Sequence, residues 1–251
     1  TPMRYAWLFY PEYFGVSFAR SMLARILLPP LRRWDTASSK RVHRFVAISR
    51  HVQERIRKFY GRESDVVYPP VDLERWTPDE QTAPGRFDLM VSALVPYKHV
   101  DLAVDAYTRM KRPLKIVGAG SELNRLRSRA GSNIEFCGWL ADNDIQALYR
   151  QCRLLVFPGE EDFGLVPLEA QACGRPVVAF GRGGVLETVK EGVTGVFFPE
   201  QTPEALEEAV RKAAGIRWDA RVIRAHAEQF GPDRFIEGMA QSIAETLRSP
   251  A

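Results

Sequence analysis

From about residue 85 onward, short runs of consecutive apolar residues alternate with segments in which apolar positions recur every three to four residues. FDLMVSAL, LKIVG, NIEFCG, RLLVFPG, PVVAF and TGVFF read as strands, and KHVDLAVDAYTRM, SELNRLRSRA, DNDIQALYRQ, LVPLEAQACG and VLETVKEG as helices. Strands that are apolar along their whole length are expected where both faces of a sheet are buried. The alternation therefore predicts an α/β fold with a parallel sheet covered by helices on both sides. Val100, Ala103, Val104 and Tyr107 share one helix face and are assigned to the core.

The chain ahead of this series has a different texture. Val16–Leu28 and Trp34–Arg44 read as two helices parted by Pro29-Pro30, RFVAIS and DVVYPP as strands, and HVQERIRKFYG as a helix ending at Gly61. YPPVDLERWTPDEQTAPG, rich in proline and charge, reads as a linker. After Pro203 three helical segments are separated near Gly215 and at Gly231-Pro232. The expected organisation is a front part over 1–77, a main unit over 78–230, and a terminal helix over 231–251 that crosses back to the front part.

Composition narrows the possibilities. The longest apolar run, Met22–Leu31, is interrupted by Arg25 and the proline pair and falls short of the ~20 residues of a membrane span. Cys137, Cys152 and Cys173 form no C-x-x-C pair, which points to a reducing compartment, the cytoplasm by default. The net charge of +4 is uneven, because residues 1–62 hold 13 Lys and Arg against 3 Asp and Glu. That basic front, with Arg20, Arg25, Arg32, Arg33, Lys40, Arg41 and Arg44, fits either a solvated helix surface or peripheral contact with an anionic membrane surface. No recognition helix, zinc module or aromatic RNA-binding strand accompanies it, so nucleic acid is not an expected partner. His43, His51, His99 and His226 fall at helical positions without partners at ligand spacing, and no metal site is expected. The opening residues, TPMRYAW, lack an initiator Met and the order of a signal peptide, and are expected to be internal to something longer.

The stretch FPGEEDFGLVPLEAQACGRPVVAF concentrates the candidate chemistry. A strand, an acidic loop with Gly164 and a helix starting near Leu165 would present free backbone N–H groups and a helix N-terminus to a phosphate. Glu161 in the loop and Glu169 in the helix can line one cleft at the C-terminal edge of the sheet, where α/β folds bind ligands. Two solvated glutamates would have the same spacing. In SALVPYKHVDLAVDAY, Lys98 follows a strand at the start of a helix, where it can neutralise a diphosphate or serve as an exposed cap. VGAGS has Leu123 where the third glycine of a dinucleotide fingerprint would stand, which speaks against NAD. GRGGVLETV is another glycine loop entering a helix, with Glu187 assigned to the surface.

FPGEEDFGLVPLEAQACGRPVVAF resembles the paired-glutamate signature of the family-4 retaining glycosyltransferases of the GT-B fold, over more than twenty contiguous positions. The resemblance implies a Rossmann-like donor-binding unit facing a partial second Rossmann-like domain, and a nucleoside-diphosphate sugar as substrate with no cofactor. It implies that Glu161 faces the donor sugar, that Glu169 binds the ribose hydroxyls, and that the backbone of Gly164, Leu165 and Val166 holds the phosphates. Lys98 would touch the phosphates too, with Ser92 beside the donor and Gly118 and Gly138 bordering the base or serving as plain turn glycines. An Arg commonly stands five positions before that lysine, and here Ala93 replaces it. SALVPYK resembles mannosyltransferase-like members of surface polysaccharide assembly, which implies GDP-mannose as first donor and a glycan or lipid-linked acceptor. TPMRYAW resembles the family segment that follows an acceptor-domain loop, implying that roughly one hundred residues of that domain lie outside this chain. The expected activity is retaining glycosyl transfer. The alternatives are a sugar-nucleotide-binding module without catalysis and a GT-B epimerase or phosphorylase.

Overall fold

The computed structural model describes residue 7, residues 18–79, residue 81 and residues 85–248. Most of the TPMRYAW segment, the start of the first expected helix and the side chain of Arg20 lie outside the described residues. Over its described residues from 18 on, the front part contains helix α1 (Phe18–Ser39), strand β1 (Phe45–Ala47), helix α2 (Arg50–Tyr60) and strand β2 (Ser64–Val66). β1 and β2 pair in parallel, Val46 opposite Asp65, as a two-stranded sheet of their own. The Ser49 hydroxyl accepts the Val52 amide at the start of α2, and Gly61, with φ 61°, ends the helix. The expected break at Pro29-Pro30 does not occur, since α1 continues through both. Proline's fixed φ suits a helix; its cost is a lost N–H donor and a ring that crowds the preceding turn, and both prolines lie on an exposed face.

The main unit follows with β3 (Asp88–Val91), a 3-10 turn over Pro96–Lys98, α3 (Val100–Met110), β4 (Leu114–Val117), α4 (Leu123–Arg129) and β5 (Ile134–Gly138). It continues through α5 (Asp142–Gln151), β6 (Leu155–Phe157), α6 (Leu165–Ala172), β7 (Val177–Phe180), α7 (Val185–Thr188) and β8 (Gly195–Phe198). α8 (Pro203–Ala214), α9 (Ala220–Ala227) and α10 (Pro232–Arg248) complete the chain. The six strands are all parallel in the order β5-β4-β3-β6-β7-β8. The strand order reverses between β3 and β6, and crevices at such points open beyond the C-terminal ends of the strands.

Consecutive strand residues are buried on opposite faces, which explains why the strands are apolar throughout. Met90, Ile116, Val156 and Val178 join Leu102, Tyr107, Leu206 and Val210 under α3 and α8. Leu89, Leu155, Val177 and Ala179 join Tyr149, Leu168 and Ala172 under α5 and α6. At the start of β3 the fully buried carboxylate of Asp88 accepts from Tyr107 Oη at 2.8 Å and Arg153 Nε at 3.0 Å, and also pairs with Arg112. A buried charge is tolerated only with such partners. Cys152 and Cys173 are buried free thiols, and burial pushes Cys173 up to about 12.

The chain passes twice between the front part and the six-stranded unit. The first passage leaves β2 and the second enters α10, and the two meet where Val71 N donates to Phe230 O at 2.9 Å. α10 then lies along the small sheet, with Ser242 Oγ on Asp65 at 2.7 Å and Arg44 bridging Asp65 and Glu245. Arg224 on α9 donates to the carbonyls of Leu73, Trp76 and Ala172, tying the linker to the end of α6. Among the described residues, no helix is long and apolar enough to cross a membrane.

Candidate functional site

A cleft of about 800 Å³ opens where the strand order reverses, at the C-terminal ends of β3, β4 and β6. It gathers Ser92, Lys98, Gly118, Glu161, Gly164, Leu165 and Val166, seven of the nine residues singled out above. Ser92 and Gly118 sit where β3 and β4 end, and a Cβ on Gly118 would fall 1.9 Å from Ser92 O, so only glycine lets the two turns meet. Gly164 is the N-cap of α6 with φ 103°, a left-handed conformation in which a side chain would also crowd Thr188 Oγ1. The first N–H groups of α6 therefore open into the cleft at the positive end of the helix dipole.

Lys98 reaches the cleft from the 3-10 turn after β3, and its ammonium pairs with the Glu161 carboxylate. Among the described residues that line the cleft, Lys98 is the only Lys or Arg; Ala93 lines it where the resemblance would place an Arg. His99, assigned to a helix, instead occupies a left-handed turn with φ 51° between the 3-10 turn and α3, and His43 lies in the loop before β1. That turn is the price of swinging Lys98 over the strand ends before α3 begins.

Glu169 and Gly138 are not among the residues lining the cleft. Glu169 lies half-buried on α6 and accepts from Tyr149 Oη at 2.9 Å; burial raises its pKa, against the lowering effect of that hydrogen bond and of nearby Arg75. Gly138 provides a left-handed turn at φ 72° that delivers the next two residues, Trp139 and Leu140, to the cleft wall. Trp139 is 79% exposed and stands near Asp142, whose carboxylate pairs with Arg75. Trp139 and Leu140 fall within FCGWL at 136–140, the stretch that the resemblance sets beside the base, although Gly138 alone was named there as a site residue.

The larger omission concerns the front part. Ile48 and Pro69 line the same cleft as the strand ends of the main unit. Glu187, assigned to the surface, accepts from the amides of Arg50 and His51 at 3.0 and 3.2 Å and from Tyr68 Oη at 2.9 Å, so it caps the N-terminus of α2 from the main unit. His51 approaches Glu160 at 3.4 Å, and this contact is the first cause of the lowered pKa of Glu160. Among the described residues no group of three or more His, Cys, Asp or Glu stands together that could hold a metal ion.

A doubly covered parallel sheet with a crevice at its reversal point, where a lysine and a helix N-terminus converge, defines an α/β protein with a GT-B-type fold. Residues 79–229 match the family described as glycosyl transferases group 1, and the chain belongs to that family. It is 31% identical over 221 residues to a D-inositol 3-phosphate glycosyltransferase of Geodermatophilus obscurus, covering 76% of this chain and 49% of that protein. It is 27% identical over 183 residues to an uncharacterised glycosyltransferase of Methanocaldococcus jannaschii, covering 71% of this chain and 50% of that one. The crystal structure of HepE from Anabaena in complex with UDP and glucose superposes with a TM-score of 0.70 at 24% identity, over 83% of this chain and 64% of that chain. The chain thus spans about half the length of the curated relatives it matches.

Proposed function

We propose that the cleft binds a nucleoside-diphosphate sugar and that the protein moves this sugar to a glycan or lipid-linked acceptor with retention of anomeric configuration. The observation that carries the reading is the convergence of Lys98 and the α6 N-terminus on one point beside Glu161. The departing diphosphate gains negative charge as the glycosidic bond breaks. A fixed ammonium and aligned amides stabilise that charge more in the transition state than in the ground state. The reading routes the charge through these groups and asks for no metal ion. Glu161 then accepts from the donor sugar, Glu169 from the ribose once the nucleotide draws its side chain toward the cleft, and Trp139 offers a face to the base.

GDP-mannose is the first donor to test, on the resemblance of SALVPYK, and the UDP complex of HepE makes UDP-glucose the necessary comparison. The front part supports an acceptor held at a cytoplasmic membrane surface. α1 exposes Ile26, Leu27 and Trp34 alongside Arg25 and Arg33, a combination that suits an anionic lipid face. Calorimetric titration of the chain with GDP, UDP, GDP-mannose and UDP-glucose tests the donor reading, and the expected result is saturable binding of one nucleotide series. No binding of any of the four would overturn it.

A further inference from the structure

The carboxylate assigned to the donor sugar sits in a loop that the front part of the chain holds from the far side. The loop over 160–163 follows β6 and is gripped at four points. On the main-unit side Gly184 N donates to Glu161 O at 2.8 Å, and Lys98 pairs with the Glu161 side chain. On the other side α2 supplies two contacts to the next residue. The Arg55 guanidinium pairs with the Asp162 carboxylate, both largely shielded from solvent, and Ser49 Oγ donates to Asp162 O at 2.5 Å. Ser49 is fully buried and its hydroxyl is used twice, since the same oxygen accepts Val52 N at 3.0 Å. α2 is itself seated on the main unit through Glu187 at its first amides.

We propose that Arg55 and Ser49 are positioning residues for Glu161. Neither lines the cleft, and each acts one residue away from the carboxylate through Asp162. Asp162 is bonded through both its side chain and its backbone, so the peptide that carries Glu161 is fixed against α2 as well as against the sheet. The sugar-recognising part of the donor site is therefore shared between the two parts of the chain. The phosphate-recognising part, formed by Lys98 and the α6 N-terminus, belongs to the main unit alone. This inference rests on the reading of Glu161 as the carboxylate facing the donor sugar.

The division gives a test that separates positioning from simple stabilisation. Hydrogen exchange of the 251-residue chain is followed in the wild type and in Arg55→Ala, Arg55→Lys and Asp162→Asn. Alongside it, the affinity ratio of each sugar nucleotide to its nucleoside diphosphate is measured for UDP-glucose over UDP and for GDP-mannose over GDP. Arg55→Ala is expected to speed exchange of the amides over 159–166 about tenfold while β6 and β7 keep their protection, with Arg55→Lys in between. The ratio should fall severalfold while affinity for the bare diphosphate stays unchanged. Unchanged exchange over 159–166 together with an unchanged ratio would overturn the proposal. If Arg55→Ala loosens the whole of 45–66, Asp162→Asn decides, because it removes the ion pair without touching α2. Faster loop exchange in that variant supports the inference, and wild-type exchange overturns it. A wild-type chain that binds none of the four nucleotides sinks the donor reading, while the exchange data still decide whether α2 positions the loop.

Discussion

The two parts of this chain are built on opposite principles. The six-stranded unit buries both faces of its sheet and closes a core around residues such as Leu89, Ile116, Leu155 and Leu168, all fully buried. Among its described residues the front part has two three-residue strands, in which Ala47 alone is buried, and α1 leaves Ile26, Leu27 and Trp34 exposed. A two-stranded sheet is marginal by itself. It is held by the packing of Tyr68 on Phe163 and Phe230 and by a larger set of directional contacts, namely Arg44 with Asp65 and Glu245, Ser242 with Asp65, Glu187 with α2, and Arg55 with Asp162. Apolar burial makes a body that stands alone, whereas polar contacts of this sort make one that depends on its neighbours for orientation.

The strongest test of this contrast is Asp88→Ala. Removing the carboxylate leaves Arg112 and Arg153 facing one another inside the six-stranded unit, and losing one member of a buried ion pair costs about 3–5 kcal/mol. Thermal denaturation should show a large fall in Tm; a change within error would mean that the unit does not rely on a closed core. Next in size is Lys98→Ala. A charge-assisted contact is worth about 1.5–3 kcal/mol, so affinity for a nucleoside diphosphate should drop roughly ten- to hundredfold while affinity for the nucleoside holds. Equal losses for both ligands, read by calorimetry, would make Lys98 a structural residue.

Glu169→Gln is expected to act in two directions. Burial raises the pKa of Glu169 in the folded chain, so the stability it contributes is present below its ordinary value of 4.5 and is lost as pH rises through the raised value. At neutral pH the variant, which keeps an acceptor for Tyr149, should melt higher by about 2–4 °C per kcal/mol relieved, with the gain vanishing near pH 4. Its affinity for a nucleoside diphosphate should fall. A variant that melts lower at pH 7.5 would contradict the burial argument. The smallest effect is expected from Arg44→Ala, whose ion pairs are partly exposed and worth about 1 kcal/mol or less. Exchange should quicken in β1, β2 and α10 with no change in β3 to β8; a fall in protection of the large sheet would show that the two parts do not differ as described.

What could be read from the sequence follows the same division. The strand and helix alternation after residue 85 was legible because each buried strand advertises itself with a run of apolar residues, and before it the end of α2 was legible at Gly61, which takes a left-handed conformation. Lys98, Glu161 and the start of α6 were legible because they lie in short contiguous motifs. The continuation of α1 through two prolines was not, since a local rule against proline was outweighed by the rest of a 22-residue helix. The partners of Glu187 are more than a hundred residues away, and two of the three reach it through backbone amides, which carry no residue-specific signal. Asp88 was hidden likewise, because Tyr107, Arg112 and Arg153 converge on it only once the sheet has formed.

The hydrogen bond between Val71 and Phe230 has a mechanical corollary. It joins the two passages of the chain between front part and main unit, and just beyond it Arg224 staples Leu73 and Trp76 to the end of α6. The linker is thereby bolted to one side for most of its length. Any rocking of the front part must pivot on the short unbolted stretches beside this pair, with Gly231 on one strand and the residues after β2 on the other. Ile48, Pro69 and the start of α2 would then leave the strand ends together, as one rigid jaw.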